Sequence, residues 1–451
     1  MQPFDPKAGP VFARSDGPLA ILFYIDDKKT FNKLYPLTRV LKVLQDSKAE
    51  VEVKDRETPI TEALLSKFHE VWFFLAATAQ DAKLTDAECT ALRAWMDRGG
   101  GVLLTGDHAN ENDAGGFEGL GRSIGARIPR ARHMRVWDAK PGLTRRLGSV
   151  NTTEISPGRR MDSLDLEQDS TPQRLLLPTD VADDPHVIFR DTCDGILDRL
   201  PDHPHEGKVV APELPLPDEP LAIPAHVNEW WDERVAPQIV ARGIDWYRGD
   251  CFETMAVWDG HAVRSVKKPD KLWHVCGRII ADSSWHHYVD PNLDKIAGAD
   301  TEDWAKIQAF YINQAAWLAP PELKRAYREQ ACKWVGEHRD YVLVGEDRRL
   351  GVAAYKLLAH KLPGAWFHEL ASDLLREYAD ADAIPVEFRD VLMGAYMRLY
   401  MSDGKQRPRL HRIVQPDTPG LITEVLASLD DELQLKQERL DSFRTVVGAR
   451  R

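Results

Sequence analysis

Apolar runs and helical stripes alternate through the first hundred residues. Leu19 to Ile25 is an unbroken apolar run, the pattern of a strand buried on both faces of a parallel sheet. It stops at Asp26-Asp27. Leu37, Val40, Leu41 and Leu44 then recur at helical spacing, with Pro36 suited to a first turn. Val51 to Val53 and Val71 to Leu75 read as the second and third strands. Thr85 and Glu88 have capping-box spacing, so a helix is expected to start there. Cys89, Leu92, Trp95 and Met96 give that helix one apolar face, and Gly99-Gly100-Gly101 stops it. Val102 to Thr105 follows as a fourth strand. This alternation predicts an α/β fold, an open, doubly wound, flavodoxin-like sheet with right-handed crossovers.

From about 110 to 250 the pattern is less regular. Val187 to Phe189 and Val209 to Ala211 read as short strands, and the five prolines from Pro212 to Pro224 predict an extended loop. Thr254 to Trp258 and Gly277 to Ala281 are strand-like again. A helix follows that turns Trp304, Ile307, Phe310 and Trp317 to the core. Pro320-Pro321 marks a boundary between an α/β domain, 1–319, and an α-helical C-terminal domain, 320–451. Leu357, Leu358, Leu362, Trp366, Leu370, Leu374 and Leu375 fit amphipathic helices in that tail. Ile422, Val425, Leu426, Leu429 and Leu433 do the same near its end.

Composition narrows the partners. The 451 residues carry a net charge of −12, which argues against general affinity for nucleic acid or an anionic membrane surface. Five widely spaced cysteines without a CxxC pair are cytosolic usage, not a disulfide framework or structural zinc site. With no signal-peptide pattern and no apolar run of membrane-spanning length, a cytoplasmic protein is expected. The partners expected are a small-molecule ligand and, through the helical tail, a second copy or another protein.

Six of the 15 histidines fall in four short runs. Imidazole is the side chain best suited to give or take a proton, or to ligate a metal, near neutral pH. Asp107-His108 follows the fourth strand, at the carboxyl edge where open α/β sheets bind ligands. The alternative is a capping Asp107 and a packed His108. Asp26 ends the first strand at the same edge, as a crevice residue or a turn. His203 and His205, two apart on a chain held extended by Pro204, project to one side. With Glu206 they make a candidate site for a divalent metal such as zinc, or else a surface loop. Trp285-His286-His287-Tyr288 follows another strand, and on an extended segment only one of the two histidines faces a common pocket. Trp285 and Tyr288 are an aromatic wall for a ligand, or core. Asp259-Gly260-His261 reads as a hairpin turn. The candidate catalytic set is Asp107, His108, His205, Glu206 and His287, with Asp107 or Glu206 orienting an imidazole or acting as general base. Asp26, Trp285, His286 and Tyr288 are the candidate substrate contacts.

Leu84-Thr-Asp-Ala-Glu88 through Gly99-Gly-Gly-Val-Leu-Leu-Thr-Gly-Asp-His108 resembles the ThuA-like branch of the class I glutamine amidotransferase-like fold, with its "LT-x-x-E" helix, glycine turn, apolar strand and "G-x-H" end. Trp258-Asp-Gly-His261 and the segment from Gly277 to His287 look like the late strands of bacterial relatives in that branch. The resemblance covers roughly residues 15 to 319 and implies the fold; a carbohydrate-type substrate rests on it alone. Amidotransferases need a cysteine on a strand-to-helix elbow, and no G-x-C-x-G occurs in this chain. Glutamine hydrolysis is therefore not expected. Two functions remain: a small-molecule hydrolase or isomerase working through histidine and carboxylates, or a non-catalytic binding or scaffold module assembled through the tail.

Overall fold

The computed structural model describes residues 17–25, 28, 30–74, 84–105, 145–147, 172–179, 184–192, 195–201, 203–206, 209, 237–245, 250–262, 277–299, 301–337, 358 and 362–370. The chain divides into two compact units, residues 1–325 with 363–365, and 326–362 with 366–451. The first unit is α/β. Its strands are β1 (Ala20–Ile25), β2 (Glu50–Asp55), β3 (Glu70–Phe74), β4 (Gly101–Leu104), β5 (Arg145–Leu147), β6 (Pro172–Arg174), β7 (Arg199–Pro201), β8 (His203–Glu206), β9 (Gln238–Asp245), β10 (Asp250–Trp258) and β11 (Ile279–Asp282). Its helices are α1 (Thr38–Asp46), α2 (Glu62–Leu65), α3 (Asp86–Met96), α4 (Asp290–Gly298), α5 (Glu302–Leu318) and the start of α6 (Pro321–Glu337). No described helix is long and apolar enough to cross a membrane.

Seven strands form one mixed sheet in the order β2-β1-β3-β4-β11-β10-β9. β2, β1, β3, β4 and β11 run parallel, and β10 and β9 add an antiparallel edge. Every residue of β1, β3, β4 and β11 is buried, as their continuous apolar runs require, whereas edge strand β2 alternates with charge. Successive side chains point to opposite faces. Leu22, Tyr24, Val71, Phe73, Leu104 and Ala281 pack on Leu65 of α2 and on Leu92, Trp95 and Met96 of α3. On the other face Phe23 stacks on Trp72 at 5.2 Å, and Trp72 and Phe74 meet Tyr288. Tyr288 in turn packs on Tyr311 of α5.

Local signals explain most helix ends. Thr85 and Glu88 make the expected capping box at the start of α3. Gly99 ends that helix region at φ 99°, a conformation costly for a side-chain-bearing residue. α1 has no side-chain cap of its own; Asp290, at the start of α4, accepts from the Arg39 N–H at 2.8 Å and from the Thr38 hydroxyl. Gly277 lies so close to Gly100 that a Cβ would strike its carbonyl, which joins β4 and β11 backbone to backbone.

Several sequence expectations change. Val187–Phe189 is a 3-10 turn rather than a strand, with Phe189 stacked on Phe310 of α5 at 5.2 Å. Three apolar residues suit either form, and the helix beside them decides. Pro320-Pro321 does separate elements, and Pro321 opens α6. Strand β9 carries Arg242 and Gly243 in its middle and has no sequence signature of its own. Val209 is buried in the core, while 210–224 lie outside the described residues. In the second unit, residues 326–337 and 366–370 are helical, with Tyr327 packed on Trp366 at 4.7 Å. The tail beyond 370 lies outside the described residues.

Two buried acids behave oppositely. Burial pushes the Glu88 carboxyl up, but hydrogen bonds from Arg56 and from the Thr85 and Ile60 N–H groups, with the Arg56 charge, outweigh it and hold it at about 2. Its folded value lies below its unfolded one, so its contribution is full above the ordinary Glu range and disappears as pH falls towards 2. Glu88→Gln is therefore expected to cost about 2 kcal/mol at pH 7 in denaturant melts, with the gap to wild type closing below about pH 4. Glu70 accepts from Trp72 Nε1 at 2.9 Å, its second oxygen has no hydrogen-bond partner among the described residues, and burial holds its carboxyl well above the usual range against the pull of Trp72 and Lys324. Its sign is reversed: stability is greatest below the ordinary Glu range and declines as pH rises. Glu70→Gln should thus gain on wild type as pH rises from 4 to 8, by thermal midpoint (pH range from about the unperturbed Glu value upward).

Candidate functional site

β11, the last of the parallel strands, ends in a carboxylate. Ile279 to Ala281 are apolar and buried, and Asp282 is equally buried, opposite Met255 of β10. A buried carboxylate needs donors, and three converge on it. Asp282 Oδ1 lies 2.7 Å from His287 Nδ1 and accepts from the Ser284 N–H at 3.1 Å. Oδ2 accepts from the Tyr288 hydroxyl at 2.9 Å. A carboxylate is acceptor-only, so Nδ1 carries a ring proton.

The backbone after Asp282 turns instead of extending. Ser284 Oγ accepts from the His286 N–H at 3.1 Å, and His286–Tyr288 form a 3-10 turn. The two histidines are therefore not an alternating extended pair. In a 3-10 turn successive side chains are about a third of a circle apart. His287 meets Asp282, and His286 stacks on Trp285 with ring centres 3.5 Å apart. The turn is fixed at its far end by Asp290, whose N–H donates to Pro36 O at 2.8 Å. Helix α5 adds two groups: Tyr311 donates its hydroxyl to His287 O at 2.6 Å, and Gln314 Nε2 lies 2.9 Å from the Tyr288 oxygen. Burial and then the Asp282 charge hold the Tyr288 and Tyr311 phenols well above their ordinary range, so both stay protonated donors.

Through Trp285 on Phe31 and Tyr288 on Phe74, this turn reaches towards the place where the chain order reverses. β1 leads outward to β2, and the chain then returns to add β3 on the other side of β1. Crevices past the carboxyl ends of such strands are the ligand-binding position of open α/β sheets. Phe31, in the turn of π-helix Thr30–Leu34 after β1, touches both Phe74, the last residue of β3, and Trp285. Tyr35 packs edge-on against Trp285 and His286. On β10 the register slips between Glu253 and Met255, and Thr254 O accepts from the Ser283 N–H at 2.8 Å.

Of the sequence candidates, Trp285, His286, His287 and Tyr288 occupy this one turn, and all four are buried. Asp26, Asp107 and His108 lie outside the described residues. His203, His205 and Glu206 lie on β8, paired antiparallel with β5 in a separate two-stranded sheet; their side chains lie outside the described residues. Among the described residues no three His, Cys, Asp or Glu side chains gather as a metal site. Asp259-Gly260-His261 is not a tight hairpin: Gly260–Ala262 form a 3-10 turn at the head of a connection that reaches β11 only at 279. Asp259 is held by a two-pronged pair with Arg278, at 2.6 and 3.0 Å, and Arg278 lies over the Trp317 ring. That arrangement braces the amino end of β11. Asp282 and Gln314 are the polar groups that sequence reasoning passed over. The available signal was an acid closing an otherwise apolar strand just before the histidine run.

No family model, curated protein or solved structure matches the chain.

Removing the Asp282 carboxylate strands three buried donors at once. Asp282→Ala is expected to lower unfolding free energy by about 3 kcal/mol or more. Asp282→Asn, which keeps one acceptor oxygen, should lose less in the same urea melts.

Proposed function

We propose that the chain is a small-molecule hydrolase or isomerase in which His287, oriented by Asp282, transfers the proton. The observation that carries this reading is the 2.7 Å contact of Asp282 Oδ1 with His287 Nδ1 at the carboxyl end of the parallel strand β11. A carboxylate on Nδ1 fixes the tautomer, leaves Nε2 as base and stabilises the imidazolium formed when it accepts a proton. We also infer a flavodoxin-like sheet of the class I glutamine amidotransferase-like type, in its ThuA-like branch. The parallel order β2-β1-β3-β4-β11 supports the sheet type, and the glycine turn leading into β4 fits the branch. The carbohydrate-type substrate follows from that branch alone. Asp107, His108, His205 and Glu206 complete the site in this proposal, with His203, His205 and Glu206 as ligands if a divalent ion takes part. The described cysteines offer no competing nucleophile: Cys89 is buried on α3, and Cys251 lies near the start of β10 rather than on an elbow. Cysteine usage favours a cytoplasmic setting, and the helical tail is the proposed assembly element.

Complete burial of Asp282 and His287, each at 0 % side-chain exposure, favours a second reading, a structural dyad in a non-catalytic ligand-binding or scaffold module. The two differ in what His287→Gln does. On the enzymatic reading, full-length protein turns over a member of a panel of sugar lactones, sugar esters and aldose–ketose pairs. The variant then loses about 10²- to 10⁴-fold in kcat while it remains folded at the assay temperature. Undiminished turnover in the variant would sink the proton-transfer role. No turnover by wild type, together with a large fall in thermal midpoint in the variant, would favour the structural module.

A further inference from the structure

We propose that Gln314 is a positioning residue for the site: through the Tyr288 hydroxyl it sets the direction of the hydrogen bond onto Asp282, and so the strength with which Asp282 holds His287. This rests on the Asp282–His287 reading above and extends it into α5, whose residues lie outside every histidine run.

Proton counting supports the direction. The Tyr288 hydroxyl has one proton and three neighbouring heteroatoms: Asp282 Oδ2 at 2.9 Å, Gln314 Nε2 at 2.9 Å and Gln314 Oε1 at 3.3 Å. The amide nitrogen can only donate, so it supplies a proton to the phenol oxygen. With that lone pair used, the phenol proton goes to the shorter acceptor, Asp282 Oδ2. The result is a one-way chain, Gln314 Nε2–H to Tyr288 O–H to Asp282, ending opposite the His287 Nδ1–H on the other carboxylate oxygen. All members are buried, with Gln314, Asp282, His287 and Tyr288 each at 0 % exposure, so water does not substitute for a lost link. Tyr311 fixes the other end of the same residue by donating to His287 O. Donation to Oδ2 withdraws charge from the carboxylate, and a carboxylate relieved of that donor is a stronger acceptor for the imidazole on Oδ1.

A structural role for Gln314 would require only that the space be filled. A positioning role requires its effect to pass through the Tyr288 oxygen. The test is a double-substitution cycle read on the Nδ1-bound proton of His287 by NMR of full-length, ¹⁵N-histidine-labelled protein, with His287→Gln assigning the signal. Tyr288→Phe is expected to move that proton downfield, and Gln314→Leu to move it the same way by less. In the Tyr288→Phe background, Gln314→Leu is expected to add no further shift. Gln314→Met keeps the length of the side chain without an amide donor and should reproduce the Gln314→Leu shift; it serves if the leucine variant does not fold. Equal Gln314 shifts with and without the Tyr288 hydroxyl, or no shift in any Gln314 variant, would overturn the proposal. A wild-type spectrum with the proton on Nε2 would instead overturn the Asp282–His287 reading itself, so the two failures are distinguishable.

Discussion

One buried carboxylate organises this half of the molecule. Asp282 closes β11, an interior strand of the sheet, and the donors that neutralise it come from the next turn of chain: Ser284, His287 and Tyr288. A charge in that position is tolerable only while those donors are held in place. The requirement propagates outward. Tyr288 packs against Trp72 and Phe74 of β3 and is held by Gln314 of α5; His287 is held through its carbonyl by Tyr311. The far end of the turn is fixed by Asp290, which at the same time caps α1. Strand, turn and two helices are thus interdependent because one acid had to be satisfied.

Much of the sheet is legible in the sequence, for a physical reason. A parallel strand covered on both faces has no freedom to be polar, so Ala20–Ile25 and Glu70–Phe74 announce themselves as apolar runs. The capping box at Thr85 is equally legible because its two hydrogen bonds are local in sequence. Legibility fails where partners are distant. α1 begins without a local cap because its cap arrives from Asp290, and β9 has a mixed sequence because it lies at an edge. Val187–Phe189 is apolar for the sake of α5 and carries no information about its own backbone.

The site divides the same way. The run Trp285 to Tyr288 stands out in the sequence because four aromatic or imidazole side chains adjoin, and the fold buries them in one turn after β11. Its backbone was not legible, since the turn is built by Ser284 accepting from the His286 N–H, a bond that a reading by alternation does not anticipate. Nor was the partner of His287. The carboxylate lies five positions earlier, on a strand whose other residues are apolar, and Gln314 lies on a helix whose visible pattern is Trp304, Ile307, Phe310 and Trp317. Polar groups that complete a buried network sit where the hydrophobic pattern draws the eye elsewhere.

The close approach of Gly277 to Gly100 has a consequence for how this fold can vary. At the amino edge of β4 and β11 the two backbones touch, Gly277 N–H donates to Met96 O at 2.7 Å, and Leu318 of α5 closes over Gly101. Where Gly277, Gly100 and Gly101 meet there is no room for even one methyl group, so none of the three positions takes a larger residue unless its neighbours move. The carboxyl edge, by contrast, is where β1, β3 and β4 hand over to long connections. The glycine contact thus fixes the spacing of β4 and β11 at their amino ends, and the chain is free to vary in length past their carboxyl ends, on the side that carries Asp282.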